Sequence, residues 1–149
     1  MPVIKEIRPY EDSVIGQVAV MEQEIFPDPW TVKAVKSTVG QSHTFCAAAK
    51  DGDRVAGYYL CYYVLDECEI ARIAVHESFR RRGVGQRLLE HMESMCRKKG
   101  ITRILLDVRK SNLTAEAFYR KNGFVVDGER KGYYAGTCPE DAVLMSKVL

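Results

Sequence analysis

Three groups of residues in this chain have the types and spacing to do chemistry. The first is Arg80-Arg81-Arg82-Gly83-Val84-Gly85. It follows a strand-like run, Ile70 to Val75, and it leads into Val84, Leu88, Met92 and Met95, which recur at helical spacing. A helix opens with unpaired N–H groups and the positive end of its dipole, so its first turn attracts phosphate. Gly83 and Gly85 carry no Cβ and let an anion come close to the backbone. The arginines add positive charge, and the guest that fits is a diphosphate. Neither of the two best-known glycine motifs accounts for the run. No Gly-Lys-Ser/Thr follows, and the first glycine of a dinucleotide fingerprint is missing.

The second group centres on Asp107, near the C-terminal end of the apolar run Thr102 to Val108. Ligands of open sheets gather at strand C-termini. A carboxylate there can take a proton from an incoming ammonium, directly or through water. The third is Tyr119, about two helical turns beyond Asn112, whose phenol can donate a proton. Acyl transfer from a thioester to an amine needs this set. The amine must be neutral to attack, the oxyanion needs a donor such as a backbone N–H near Val75, and the departing thiolate, with a pKa of about 8.5, needs a proton. An α-amine of pKa about 8 is neutral to about one part in ten at neutral pH, whereas a lysine is so to less than about one in a thousand. A modest carboxylate base, acting directly or through water, therefore suits a protein N-terminus better than a lysine.

The elements that must hold these groups follow from periodicity. Val3 to Arg8 alternates as a first strand and Pro9 ends it. A helix capped by Asp12 or Ser13 carries Val14, Val18, Met21 and Ile25 on one face. The prolines of Phe26-Pro27-Asp28-Pro29-Trp30 break that helix. This knot either packs as a staple or lines a cleft, with packing favoured for Phe26 and Trp30 left as a candidate substrate contact. Thr31 caps a short helix with Val32, Val35 and Val39 inward. His43 to Ala49, a turn at Asp51-Gly52, Arg54 to Val64, a turn through Leu65 to Cys68, and Ile70 to Val75 make an antiparallel meander. In its last strand Ile70, Arg72 and Ala74 should face one way and Ala71, Ile73 and Val75 the other. A helix from Val84 to about Lys99 stops at Gly100 and leads to the strand Thr102 to Val108, so strands four and five should be parallel. Ser111 or Asn112 caps a further helix closed by Asn122-Gly123. Phe124 to Glu129 is a sixth strand, Arg130 to Pro139 a polar loop with Tyr133 and Tyr134, and Asp141 to Leu149 a final strand. The fold class is α+β, a mixed and mostly antiparallel sheet flanked by helices.

Composition bounds the rest. The 149 residues suggest one domain with an ordinary core. A formal net charge of +2 is too small to imply nucleic-acid binding. No apolar run approaches spanning length and the N-terminus lacks a signal-peptide core, so the expectation is a cytoplasmic chain with no membrane contact. The five cysteines, Cys46, Cys61, Cys68, Cys96 and Cys138, form no C-x-x-C pair, and Cys46 and Cys61 read as small core hydrophobes. His43, His76 and His91 lack metal-ligand spacing and read as turn or surface residues; no metal is expected.

Arg80-x-x-Gly83-x-Gly85, between a strand and a helix, resembles the acyl-coenzyme A signature of the GNAT family of N-acetyltransferases, and the order of elements matches that family over nearly the whole chain. Leu106-Asp107-Val108-Arg109-x-Ser111-Asn112, Ala117-Phe118-Tyr119-x-x-x-Gly123-Phe124, Val64-Leu65-Asp66-Glu67, Ile73-Ala74-Val75, the Phe-Pro/Pro-Trp knot and Tyr133-Tyr134 resemble the ribosomal-protein-alanine N-acetyltransferases (RimI type) within it. The resemblance implies a splay between strands four and five that takes the pantetheine arm of acetyl-CoA. It implies contacts to that cofactor from Ile73, Ala74 and Val75, from Arg80, Arg81, Arg82, Gly83, Val84 and Gly85, and from Asn112. It implies Asp107 as general base, where the group has Glu, and Tyr119 as general acid. The implied partner is the N-terminal peptide of a ribosomal protein, with Tyr133 and Tyr134 holding it and Glu67 and Glu69 attracting its positive charge. A small-molecule amine or a lysine as acceptor, and an acyl-CoA-binding regulator without catalysis, share the same cofactor loop.

Overall fold

The computed structural model describes residues 1–136 and 139–149; Cys138 and Thr137 lie outside the described residues. Seven strands form one sheet in the order β1-β2-β3-β4-β5-β7-β6. They are β1 (Val3–Glu6), β2 (Thr44–Asp51), β3 (Arg54–Val64), β4 (Glu67–Val75), β5 (Arg103–Arg109), β6 (Val125–Tyr134) and β7 (Glu140–Val148). The helices are α1 (Asp12–Ile25), α2 (Val32–Val39), α3 (Val84–Lys98) and α4 (Leu113–Lys121), with a short 3-10 turn at Glu77–Phe79. Every neighbouring strand pair is antiparallel except β4 and β5. That exception follows from the α3 crossover.

Two core layers sandwich the sheet. Val84, Leu88, Leu89, Met92 and Cys96 of α3 and Tyr119 of α4 cover one face, and Val14, Ile15, Val18 and Met21 of α1 with Val35 of α2 cover the other. α3 lies close on β3 because residue 57 is glycine: a Cβ there would stand 2.8 Å from the Ala74 carbonyl oxygen and 3.0 Å from Leu88 Cδ1. Cys46, Cys61, Cys68 and Cys96 are buried free thiols.

Several local expectations are corrected. Alternation along β4 breaks at a bulge: Cys61 pairs with Ile70 and Leu60 with Arg72, which leaves Ala71 without an opposite number. Cys68, Ile70, Ile73 and Val75 therefore share the α3–α4 layer, while Ala71 and Ala74 join the α1–α2 layer. The extra residue reverses the phase that a strict period of two assigns to Ile70. Cys68 lies inside β4, and the turn before it is only Leu65 and Asp66. The residue before α1 is Glu11, whose Oε1 accepts from the Arg8 N–H at 2.8 Å instead of capping the helix. Val32 is exposed, and the buried residues of α2 are Val35 and Thr38. Tyr133 and Tyr134 belong to the end of β6, not to a loop. His91 is half-buried, its Nδ1 2.8 Å from the Tyr59 hydroxyl.

Candidate functional site

The parallel pairing of β4 and β5 is short. It joins Glu67 to Arg103, Cys68 to Ile104 and Glu69 to Leu105, and then stops. Beyond it β5 continues against β7, with Asp107 opposite Leu144, and β4 continues against β3, with Ile73 opposite Tyr59. The two central strands thus diverge, and the edge of Ile70 to Val75 that faces β5 has no strand partner among the described residues. Unpaired strand groups of this kind can hold an extended ligand that carries amides.

The loop that opens α3 stands at the wide end of this gap. Arg80 Nε donates to the Val75 carbonyl at 3.3 Å, which ties the loop to the last residue of β4. Arg81 and Gly83 both adopt positive φ, +63° and +75°, and this turns the chain sharply into the helix. No side chain caps α3. Among the described residues the N–H groups of Arg82, Gly83, Val84, Gly85 and Gln86 have no acceptor. Arg80, Arg81 and Arg82 are exposed around them. Gly83 is needed for its φ. Gly85 is not demanded by the fold itself, since a Cβ there would meet Phe118 and Val75 at an ordinary 3.6 Å.

A cleft of about 200 Å³ lies between the diverging strands. Ile73, Asp107, Asn112, Tyr119 and Tyr134 line it, closed on one side by Ile25 to Asp28. Asp107 is half-buried on β5. The Tyr119 ring is buried between Phe118 and Phe124, with both ring centroids 5.4 Å away. Its hydroxyl makes no hydrogen bond among the described residues, and burial pushes its pKa above the ordinary phenol range. The nearby Asp107 carboxylate, with some desolvation, raises the Tyr133 phenol. Desolvation and then Asp107 push Tyr134 up to about 12. Glu69 is raised too, by desolvation first and Asp107 second. Asp107, Glu69, Tyr133 and Tyr134 therefore form one electrostatic group, although β4, β5 and β6 supply them separately. Asn112 caps α4, accepting from the Ala115 N–H at 3.1 Å.

Two of the expected site residues stand apart. Glu67 pairs with Arg103 at 3.4 Å at the closed end of the splay. Trp30 is not among the cleft-lining residues; its N–H donates to Glu22 Oε1 at 3.0 Å.

Sequence reasoning missed the group that lies behind the Ile25–Asp28 wall of the cleft. Glu22 is fully buried on the inner face of α1. It accepts from the Tyr58 hydroxyl, from Arg72 Nε at 3.0 Å and from the Trp30 amide. Arg72 stacks on Phe26 at 4.2 Å and donates to the Asp28 carbonyl at 2.7 Å. The signal was present: Glu22 lies four residues after Val18, on the apolar stripe, and Arg72 interrupts an apolar strand.

The family model described as "Acetyltransferase (GNAT) family" matches residues 15–124. The [ribosomal protein bS18]-alanine N-acetyltransferase of Escherichia coli (strain K12) is 34% identical over 127 residues, 85% of each chain. The crystal structure of the ribosomal-protein-S18-alanine N-acetyltransferase from Escherichia coli superimposes with a TM-score of 0.88 at 30% identity, covering 99% of this chain and 94% of that one. Ard1 from Thermoplasma volcanium superimposes with a TM-score of 0.86 at 27% identity, covering 99% and 97%.

Proposed function

The chain belongs to the GNAT family of acetyltransferases, and from that premise we propose that it moves acetyl from acetyl-CoA to the α-amine of a protein N-terminus, the N-terminal alanine of a small-subunit ribosomal protein. The observation that carries this is one juxtaposition: an arginine-rich loop with five unpartnered amides opens α3 beside a gap in the sheet that holds a carboxylate and a buried phenol. Relatives that cover 85% of the chain and bear the bS18-alanine acetyltransferase name direct the choice of acceptor.

The residues present fit the cofactor. Its diphosphate belongs on the amides of Arg82 to Gln86, with Arg80, Arg81 and Arg82 around it. Its amide-bearing arm belongs along the unpaired edge of Ile73, Ala74 and Val75, and Asn112 borders the same cleft. When bound, acetyl-CoA supplies an activated acetyl thioester. Asp107 draws the ammonium into the cleft and takes its proton through a water, since its side chain is one methylene shorter than the glutamate of the family pattern. Glu69, next to it, adds negative charge that favours the ammonium's approach. An N–H on the free edge of β4 would be the donor to the thioester carbonyl oxygen. Tyr119, kept protonated by its raised pKa, gives its proton to the departing sulfur. Tyr133 and Tyr134 flank the acceptor peptide.

The test is release of free thiol from acetyl-CoA. A short peptide beginning with Ala should be acetylated, and the same peptide blocked at its N-terminus but carrying a Lys should not. Turnover of the blocked peptide at an equal rate would move the acceptor to lysine. Binding of acetyl-CoA with no turnover of either would favour a regulator.

A further inference from the structure

Beyond the cofactor loop and the proton-transfer residues, one cluster at the mouth of the cleft has no part in the chemistry above. Asp28 Oδ1 lies 3.4 Å from Arg72 Nη2 on β4 and 4.0 Å from Arg109 Nη2 on β5. These strands are not bonded to each other at this level, because their pairing ends at Glu69 and Leu105. Each arginine is anchored behind Asp28. Arg72 is held by buried Glu22 and by the Phe26 ring. Arg109 stacks on Tyr134 at 4.2 Å and pairs with Glu140 at 3.5 Å. A continuous run of contacts therefore crosses the mouth from α1 to the β6–β7 end of the sheet, and Asp28 is its middle link.

We infer that Asp28 is a positioning residue that straps the Phe26–Trp30 segment across the open splay of β4 and β5, and so selects a small first side chain on the acceptor. This rests on the N-terminal acetylation proposed above. Ile25, Phe26, Pro27 and Asp28 form one wall of the cleft. At about 200 Å³ the cleft falls below the roughly 300–1,000 Å³ usual for ligand pockets. Pro27 and Pro29 stiffen the segment, so it moves as a unit. Arg72 also grips the Asp28 backbone carbonyl, a bond that any side chain at 28 preserves. Among the described residues the carboxylate makes the segment's one ion pair with β5. Without it the wall hinges on β4 and can swing back, and a bulkier first residue gains entry.

The sole tryptophan, Trp30, lies in the strapped segment and reports on it without any need for turnover. Full-length wild type, Asp28→Asn, Asp28→Glu, Arg109→Gln and the Asp28→Asn/Arg109→Gln pair are compared in two assays. One is acrylamide quenching of Trp30 fluorescence. The other is the ratio of kcat/KM for two peptides that differ only in a first residue of Ala or Met. Asp28→Asn should raise quenching and lower the Ala-to-Met ratio about threefold to tenfold, through KM, with kcat for Ala within about twofold. Asp28→Glu should recover most of the ratio, and the double variant should be no worse than Asp28→Asn. Unchanged quenching and ratio in Asp28→Asn, or losses that add independently in the double variant, would overturn the strap. Should neither peptide be acetylated by wild type, the acceptor assignment falls, while Trp30 quenching still decides whether Asp28 holds the segment.

Discussion

Replacing Tyr119 with Phe removes one oxygen and leaves nearly everything else in place. The hydroxyl makes no hydrogen bond among the described residues, and the ring keeps its edge contacts with Phe118 and Phe124. The fold should lose no more than about 0.5 kcal/mol. For a chain of this length that is a melting shift of about 2 °C or less. The chemical loss is bounded by the leaving group. A thiol of pKa about 8.5 is about 1.5 units above neutral pH, and at about 1.36 kcal/mol per unit the acid contributes about 2 kcal/mol, roughly thirtyfold. This is less than the roughly 10²–10⁴-fold typical of general acids, because a thiolate leaves fairly well unaided. The loss should shrink as the pH passes about 8.5 and protonation of the sulfur ceases to matter. Because burial raises the Tyr119 pKa, wild type should keep its acid through the ordinary phenol range, and no alkaline decline below about pH 9.5 should belong to it. The assay is thiol release at saturating acetyl-CoA and Ala-peptide from pH 6.5 to 9.5, with melting curves alongside. A kcat within twofold of wild type at every pH would refute the acid role. A loss that came with a large fall in melting temperature would assign Tyr119 to the core.

Glu22→Ala strands the Arg72 guanidinium and the Tyr58 hydroxyl, and should cost about 3–5 kcal/mol in urea unfolding; the loss should be much smaller where Arg72 is already Met. Gly57→Ala should cost about 1–3 kcal/mol by the same measurement, since its Cβ must push against the Ala74 backbone oxygen and not only a side chain. Reversing Arg80 and Arg82 together to Glu should weaken coenzyme A binding at least tenfold by calorimetry without moving the melting temperature by more than about 2 °C, because both side chains are exposed. Glu69 has a folded pKa above its unfolded value, so the stability linked to it is present below about pH 4.3 and is lost as pH rises through the folded pKa. Glu69→Gln should therefore raise the melting temperature at pH 7 and leave it unchanged near pH 3.5.

The parts legible in the sequence are those whose determinants lie close together along the chain. The bounds of β3, the Thr31 cap of α2, the α4 cap at Asn112, one of the two residues expected there, and the α3 stop before Gly100 each depend on a few neighbouring residues and emerge from them. The strand-to-helix turn at Arg80 to Gly85 emerges likewise, because a strand end, two glycines and a helix start fit within a short run. The bulge at Ala71 is different. It is set by pairing with Leu60 and Cys61, so a period of two read along β4 alone misplaces Ile70. The reach of β6 to Tyr134 likewise depends on pairing with Glu140 of β7. The divergence of β4 and β5 was expected from family resemblance, not from spacing, since nothing local marks where pairing ends.

The cleft wall formed by Ile25 to Asp28 is non-local throughout. Glu22 and Arg72 are 50 positions apart, and Asp28 and Arg72 are 44 apart. Glu22 and Arg72 each stand out locally as a charge in an apolar run, but only the fold shows that they are partners. A loop that recognises a diphosphate can be carried from fold to fold as a short sequence. An acceptor wall built from pairs this distant can change with one substitution at either end. On this physical basis the cofactor half of the site should tolerate little variation in type, while acceptor preference should follow residues such as Asp28 and Arg109. Exchanging those two residues for the corresponding pair of a relative with a different first-residue preference should shift the Ala-to-Met ratio toward that relative and leave coenzyme A affinity within about twofold. A ratio that stayed with the cofactor loop instead would place selectivity at the thioester, not at the mouth of the cleft.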